Sequence, residues 1–248
     1  MNWKFSLFLF GILCMSCQDR KIETAQEIID KAIRKQCSGN CGAVRISFDF
    51  RNKHYVSTRQ KGKYQFERHF SDSLGFVVDI LKNDGFTRTI NKADITLSDS
   101  LKTLYGNSVN SVHYFTQLPF GLNDAAVQKE LLGNDTISHQ PYYEIKVTFK
   151  KEGGGTDFED EFMYWVHSEN YTVDYLAYSY ATDGGGIRFR EAYNPRKVNG
   201  IRFVDYRNYK PNTLTVALED LDDWFQADSL QLLSTIENTS ISVDLLNP

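Results

Sequence analysis

The sequence has no excess of basic side chains, and this argues against one class of partner. Its 248 residues include 28 lysines and arginines against 32 aspartates and glutamates, for a formal net charge of −4. Proteins that bind nucleic acid carry a clustered basic excess, which meets the phosphate backbone. We therefore expect no nucleic-acid partner.

Long apolar runs are also scarce. The first one, residues 5–15, follows Lys4 and is too short for a membrane-spanning helix, which needs roughly 20 residues. A positive charge before a short apolar core is typical of a secretion signal peptide. No second run of this kind follows, so we expect no other part of the chain to enter a membrane.

A cysteine at the end of this run indicates which kind of signal it is. Cys17 follows the small residue Ser16, whereas Cys14 follows the bulky Leu13. A small residue before a terminal cysteine is typical of bacterial lipoprotein signals. We interpret Cys17 as the lipidation site, because two or more acyl chains hold a protein stably on a bilayer. An ordinary cleaved signal with an accidental cysteine is the alternative.

The position of Cys17 also predicts the domain organisation and the location. Residues 1–16 would be the signal peptide, residues 17–22 a lipid-anchored tether, and residues 23–248 a single domain. We expect the protein in the cell envelope, attached to the outer membrane through its N-terminal lipid. The membrane face, periplasmic or external, stays open.

Two further cysteines, Cys37 and Cys41, are separated by three flexible residues. Disulfides persist in the oxidising compartments to which signal peptides lead, so we predict a short-loop disulfide between them. A metal site would need further ligands, and no other cysteine or histidine is near in the sequence. A catalytic thiol pair, the remaining alternative, would need a helix start and a basic neighbour.

The hydrophobic pattern predicts a mainly β, α+β fold. Residues 23–35 have the apolar spacing of a helix and a capping box at Thr24 and Glu27. Alternating apolar and polar residues then predict four or five antiparallel strands. Residues 98–133 return to a helical period, which we interpret as two or three short helices broken at Pro119 and Gly121.

The second half of the pattern repeats the first. Five or six strands follow the helical insert, with a predicted turn at residues 194–199, a helical stretch at 218–225 and a last strand within 230–243. Strands and helices do not alternate, which argues against a parallel sheet. We therefore expect one strongly curved antiparallel sheet, an unclosed β-barrel, with the N-terminal helix and the short helices as its lid.

This order of elements resembles the lipoprotein-carrier superfold of the Lol type. Several stretches also look like a family of Bacteroidota outer-membrane lipoproteins for which we know no activity: residues 107–115 (NSVNSVHYF), 120–124 (FGLND), 153–160 (GGGTDFED), 182–193 (TDGGGIRFREAY) and 199–206 (NGIRFVDY). The resemblance implies the fold and the envelope location, and by analogy a hydrophobic cavity.

Two triple-glycine loops, at residues 153–155 and 184–186, should lie side by side at one rim of the sheet, because the strands between them alternate in direction. Acidic residues surround them: Asp157, Glu159, Asp160 and Asp183. Such carboxylates could hold a hard cation such as Ca²⁺. The alternative is two tight turns that need positive φ, flanked by solvated charges. We expect no other cofactor.

Arginines and aromatic residues share the strands that follow the second loop: Arg188, Arg190 and Arg202, with Phe189, Phe203 and Tyr206. Solvent-facing arginines paired with carboxylates are the first interpretation. In the second, some of them point into a cavity and bind an anionic headgroup through the planar guanidinium. The aromatic residues would then form the apolar wall.

No catalytic motif stands out. The sequence has no Gly-x-Ser-x-Gly nucleophile elbow, and we interpret His113 as a core residue. We therefore predict no enzyme but an anchored envelope lipoprotein that binds a lipid or another hydrophobic ligand in the half-barrel. The alternatives are an assembly lipoprotein that contacts other envelope proteins, and an enzyme, which would show a strongly shifted titratable group in a cleft.

Overall fold

The computed structural model describes residues 23–39, 41–153, 155, 158–181 and 184–247. Over these residues the chain forms two seven-stranded antiparallel sheets and three α-helices. The predicted mainly β, unclosed architecture is confirmed. Cys17, Asp157 and Asp183 lie outside the described residues, so the lipidation site and half of the predicted rim carboxylates stay predictions.

The first half of the chain contains one helix and the strands of one sheet. Their bounds are α1 Ala25–Cys37, β1 Val44–Phe50, β2 Lys53–Gln60, β3 Lys63–Asp72, β4 Gly75–Lys82, β5 Gly85–Ile90 and β6 Ala93–Asp94.

The second half begins with a long helix and returns to strands. Its elements are α2 Asp99–Thr116, a 3-10 turn Phe120–Asn123, β7 Val127–Ile137, β8 Gln140–Phe149, β9 Glu161–His167, β10 Val173–Tyr180, β11 Gly186–Val198, β12 Ile201–Lys210, a 3-10 turn Leu218–Asp220, α3 Leu221–Gln226, β13 Gln231–Ile236 and β14 Asn238–Leu245. Among the residues described, no helix combines the length and the apolar character needed to cross a bilayer.

The strand order shows that the strands form two separate sheets. Sheet A has the order β14-β1-β2-β3-β4-β5-β6, and sheet B the order β13-β12-β11-β10-β9-β8-β7. The last two strands are separated in sequence by Glu237, but β13 pairs with β12 and β14 pairs with β1. Our expectation of a single sheet is therefore corrected, because the chain passes from sheet B to sheet A at Glu237.

A buried carboxylate holds the chain at this division. Asp205 is 3% exposed and accepts hydrogen bonds from the Asn238 backbone nitrogen at 3.0 Å and from Arg196 Nη2 at 2.8 Å. Asn194 Nδ2 donates to its other oxygen at 2.7 Å. Charge-assisted hydrogen bonds are stronger than neutral ones, so Asp205 fixes the point where the chain passes from sheet B to sheet A.

The first helix forms as the sequence predicts and closes one face of sheet B. The Thr24 side chain accepts from the Glu27 backbone nitrogen at 3.2 Å, and the Glu27 carboxylate accepts from the Thr24 backbone nitrogen at 2.9 Å. Ile28 and Ile29 are fully buried against residues of β8 and β9. The helix ends at Cys37, which a disulfide joins to Cys41, with Cα atoms 5.4 Å apart.

The other face of sheet B carries a second core. Trp165 and Phe189 are fully buried there, beneath Leu218, Leu221 and Phe225 of the segment that contains α3. Sheet B is thus covered on both faces. This position of Phe189 follows from strand alternation, because adjacent residues of a strand point to opposite faces.

Three local predictions are wrong. Residues 127–132 belong to strand β7, not to the end of a helical insert, because they pair with β8 from Val127 to Leu131. The predicted turn at residues 194–199 is wrong, because residues 194–198 continue β11 with an irregular register between Tyr193 and Arg196, and the turn lies later, at Asn199 and Gly200. The C-terminal piece forms two strands instead of one.

Candidate functional site

A cavity of about 790 Å³ lies between helix α2 and the face of sheet B that also packs on α1. The helix contributes a polar side to it, through Asn107, Ser108, Asn110 and Ser111. The opposite wall is aromatic, through Phe149, Phe162, Tyr178, Tyr180 and Tyr206. A cavity in which polar groups face an aromatic wall can hold a small molecule that has both an apolar and a polar part.

Arg190 is the charged residue that strand β11 places in this wall. Its side chain reaches across the sheet, where Nη2 donates a hydrogen bond to Tyr178 Oη at 2.8 Å. The guanidinium carbon lies 3.8 Å from the ring centroid of Phe115 in α2, 5.1 Å from that of Tyr178 and 5.9 Å from that of Tyr206. Three ring faces thus surround one cation.

The charge of Arg190 has no counterion among the described residues. The residue is 7% exposed, no carboxylate of a described residue lies within 4 Å of its nitrogens, and its buried Nε has no hydrogen-bond partner in the same part of the chain. Cation–π contacts compensate part of the cost of burying a charge, but they leave hydrogen-bond donors unused. The site can therefore accept an anionic oxygen.

Two tyrosines that line the cavity, Tyr114 and Tyr206, are neutral donors and acceptors. Burial raises the pKa of Tyr206 to about 12, against an opposing effect of the Arg190 and Arg202 charges. Burial also raises the pKa of Tyr114, whose hydroxyl lies 2.6 Å from that of Tyr164. No negative charge on these groups competes with an anion for Arg190 near neutral pH.

The other predicted ligand-binding residues divide into two groups. Tyr206 lines the cavity with Arg190, as predicted. Arg188 donates to Tyr180 Oη at 2.6 Å without lining the cavity, and Arg202 forms an ion pair with Asp174 at 3.1 Å. Arg202 thus fits the first interpretation, an arginine paired with a carboxylate.

Phe189 and Phe203 do not form the apolar wall, and that expectation is corrected. Phe189 belongs to the core on the opposite face of sheet B, and Phe203 packs with β1 and β14 residues of sheet A. The alternation of Arg188, Phe189 and Arg190 along one strand already excludes a shared face. The wall is formed instead by Tyr178 and Tyr180, which alternation places on the face of Arg188 and Arg190.

The glycine loops lie at one end of sheet B, as strand alternation predicts, because Glu161 at the start of β9 pairs with Ser179 near the end of β10. Gly153, Gly155 and Asp160 line the cavity, whereas Glu159 is exposed and does not. Among the described residues, Glu159 and Asp160 do not join a carboxylate cluster, so a rim cation site has no support from them.

His113 lies in the core, as the sequence indicated, and not in the cavity wall. It is 1% exposed, its Nε2 lies 3.1 Å from the Glu67 carbonyl oxygen, and its ring stacks on Phe66 with centroids 4.6 Å apart. Burial lowers the pKa of His113 to about 3. The imidazole is therefore neutral and structural.

Comparison with known proteins identifies the family. The family model of DUF6503, described as a family of unknown function, matches residues 3–238. The chain belongs to the DUF6503 family. No curated protein matches it.

One solved structure supports the fold of this DUF6503 protein, and a second is more distantly similar. A LolA superfamily protein from Nitrosomonas europaea superposes with a TM-score of 0.52 at 14% sequence identity, over 91% of this chain and 96% of that one. A DUF1329 family protein from Desulfovibrio piger gives a TM-score of 0.48 at 12% identity, over 90% and 95%. At such identities the likeness to the LolA superfamily protein is one of fold, as the order of elements indicated.

Proposed function

We propose that the protein binds an anionic amphiphile in the cavity under α2, with the apolar chain along the aromatic wall and the anionic group on Arg190. The observation that carries this proposal is the buried guanidinium without a carboxylate partner among the described residues. An anionic oxygen would complete its hydrogen bonds and neutralise its charge, which is worth about 1.5–3 kcal/mol for a charged hydrogen bond.

The apolar part of the ligand is inferred from the wall. Burying each methylene of an acyl chain contributes about 0.8 kcal/mol, and rings from α2 and sheet B are available on both sides of the cavity. The volume of about 790 Å³ falls within the usual range for small-molecule sites. A lipid with one or two acyl chains near Arg190 fits this combination of wall and charge.

Catalysis and assembly are less well supported than binding. An enzyme would place in the cleft a titratable group whose shifted pKa suits proton transfer near neutral pH. Burial moves the pKa values of Tyr114 and Tyr206, which line the cavity, further from neutrality, and His113 and Asp222, whose pKa values move to about 3 and about 8, do not line it. An assembly protein with a collapsed interior would leave no cavity of this size. We therefore favour a binding protein over the two alternatives.

The test compares two ligands that share a chain and differ in the headgroup. We expect the purified full chain to bind palmitate more tightly than the uncharged alcohol of the same chain length. Arg190→Met should weaken palmitate binding by about 10- to 100-fold, the equivalent of one charged hydrogen bond. It should leave the affinity for the alcohol within about threefold. Fluorescence displacement and native mass spectrometry measure both.

Arg188→Met is the matched control, because Arg188 lies on the same strand and face and donates to Tyr180 of the wall, but does not itself line the cavity. It should bind both ligands as the wild type does. Equal losses for Arg188→Met and Arg190→Met would show that general positive charge, not the cavity, attracts the ligand. Failure of both ligands to bind the wild type would refute the proposal.

We further propose that the protein is a lipoprotein of the Bacteroidota outer membrane, anchored through Cys17. The proposal rests on the short apolar run and on Ser16 before Cys17. Cys17→Ala should move the protein from the membrane pellet to the soluble fraction in cell fractionation, and metabolic labelling with an alkyne fatty acid should disappear. Cys14→Ala, the matched control, should stay labelled and membrane-bound. A membrane-bound, labelled Cys17→Ala variant would contradict this assignment.

A further inference from the structure

Three aspartates meet on the face of sheet B that lies away from the cavity. Asp135 is near the end of β7, and Asp222 and Asp223 are in α3. One carboxylate oxygen from each lies within 4.8 Å of those from the other two. Gln226 of α3 also accepts a hydrogen bond from the Ser138 backbone nitrogen at 3.2 Å, which keeps α3 against the turn after β7.

Asp222 is the unusual member of this trio. The residue is 1% exposed, and neither of its carboxylate oxygens has a hydrogen-bond partner among the described residues. Burying an ionised carboxylate without a partner is costly. The buried side chain is thus aimed at two other carboxylates with nothing to balance its charge.

The surroundings add more negative charge. Burial raises the pKa of Glu144 on β8, and the charges of Asp135, Glu219 and Asp223 raise it further. Within the described residues, no lysine or arginine forms an ion pair with any of the three aspartates. A cation from solution would neutralise this cluster.

We propose that Asp135, Asp222 and Asp223 bind one Ca²⁺ ion, which fastens α3 to strand β7. Calcium takes six to eight oxygen ligands at about 2.3–2.6 Å, so ligands on opposite sides of the ion lie up to about 5 Å apart. The oxygens of the trio fall within this span. Magnesium needs shorter distances of about 2.0–2.1 Å and a stricter octahedron. Asp223 is exposed, so water can supply the remaining ligands.

The site has a structural consequence that does not depend on the cavity or its ligand. Leu221 and Phe225 of α3 cover the core that contains Trp165 and Phe189. A cation between α3 and β7 would stabilise this cover, since a ligand that binds the folded chain alone raises its stability. Failure of the amphiphile proposal would therefore leave the cation proposal standing, and the reverse also holds.

The experiment uses the purified full chain in a zwitterionic detergent after removal of metals with a chelator. We expect CaCl₂ to raise the melting temperature, with half of the effect at or below about 1 mM, the range of extracellular calcium modules. Equal MgCl₂ should give a smaller shift. Terbium should give tryptophan-sensitised luminescence, because Trp224 follows Asp223 in α3 and Trp165 pairs with Glu144, and calcium should displace it.

Asp222→Asn separates a cation site from a merely structural cluster. It removes a buried carboxyl group that has no hydrogen-bond partner among the described residues, so without calcium this variant should melt at or above the wild-type temperature. Its calcium shift and its terbium signal should fall by about tenfold or more. Asp223→Asn changes an exposed residue and should also lose the calcium shift and the terbium signal. It replaces Asp222→Asn in the test if that variant does not fold.

Glu159→Gln is the control for the rim that carries the glycine loops, and it should keep the full calcium shift and the full terbium signal. Loss of the response in Glu159→Gln but not in Asp222→Asn would overturn the proposal and assign the ion to the glycine loops. A wild type that shows no calcium shift up to about 10 mM, well above the weakest such sites, would also overturn it. The trio would then share a proton instead of a cation.

Discussion

Asp79→Asn is expected to lower the free energy of unfolding by about 3–5 kcal/mol, the usual cost of removing one partner from a buried ion pair. Asp79 is fully buried in β4 and lies between an arginine on each neighbouring strand. Arg68 Nη2 donates to Asp79 Oδ2 at 2.6 Å, and Arg88 Nε donates to Oδ1 at 2.6 Å. Without the carboxylate, the buried guanidinium of Arg68 would face that of the half-buried Arg88.

This network also positions helix α2, and through it the cavity. Arg68 Nη1 donates to Ser108 Oγ of the helix at 2.7 Å, and the Arg88 guanidinium lies 3.7 Å from the ring centroid of Tyr105. Ser108 lines the cavity. We therefore expect Asp79→Asn to weaken amphiphile binding as well, although Asp79 itself does not touch the cavity. Chemical denaturation and the displacement assay measure the two effects.

Two controls separate burial from charge. Asp99→Asn removes an exposed carboxylate that pairs with Lys102 at 3.1 Å, and it should leave stability unchanged because exposed pairs contribute little. A triple variant, Arg68→Met with Asp79→Leu and Arg88→Met, should recover most of the lost stability, since apolar residues often replace a buried ionic cluster without loss. An Asp79→Asn variant as stable as Asp99→Asn would show that water reaches the network.

Local patterns in the sequence predict the strands of this fold well, because each strand has one buried face. Val44, Ile46 and Phe48 of β1 are buried and alternate with more exposed neighbours. The same patterns fail at β7. Val127 and Leu131 are four residues apart, a spacing that fits one face of a helix and one face of a strand equally. Pairing with β8 decides the outcome, and the sequence does not display that pairing.

In the candidate site, too, features set by the local sequence were predictable, and contacts between distant parts of the chain were not. The shared face of Arg188 and Arg190 is a local property and was predictable. The ring of Phe115 that covers Arg190 comes from α2, and the pairing of β14 with β1 brings Val44 to Leu245. Such contacts join distant parts of the chain. The aspartate trio belongs to this second class, because Asp135 and Asp222 approach each other only when α3 folds onto sheet B.

His113 leads to a second large effect, a loss of stability in acid. Its Nδ1 lies 3.3 Å from Gln117 Nε2 and its Nε2 lies 3.1 Å from the Glu67 carbonyl oxygen, so the neutral ring accepts one hydrogen bond and donates the other. Rings of Phe48, Tyr55 and Phe66 surround it. A proton on Nδ1 would break the first bond and bury a charge among these rings.

The direction of the pH dependence follows from the two pKa values. Above pH 6.5 the histidine is neutral in the folded and the unfolded chain and contributes no slope. Below that pH, His113 becomes protonated in the unfolded chain. In the folded chain it stays neutral until the pH approaches its lowered pKa of about 3. The free energy of unfolding should therefore fall by about 1 kcal/mol per pH unit between pH 6 and pH 4.

The measurement compares variants, because other groups titrate in the same range. Asp222, whose pKa is raised to about 8, gives a slope of the opposite sign. Subtracting the pH profile of His113→Gln from that of the wild type, both by urea denaturation in chelator, isolates the contribution of His113. His139→Gln, at an exposed position in the turn after β7, should keep the wild-type profile. Parallel profiles for the wild type and His113→Gln would mean that the core admits the charged ring, and the neutral assignment of His113 would then be wrong.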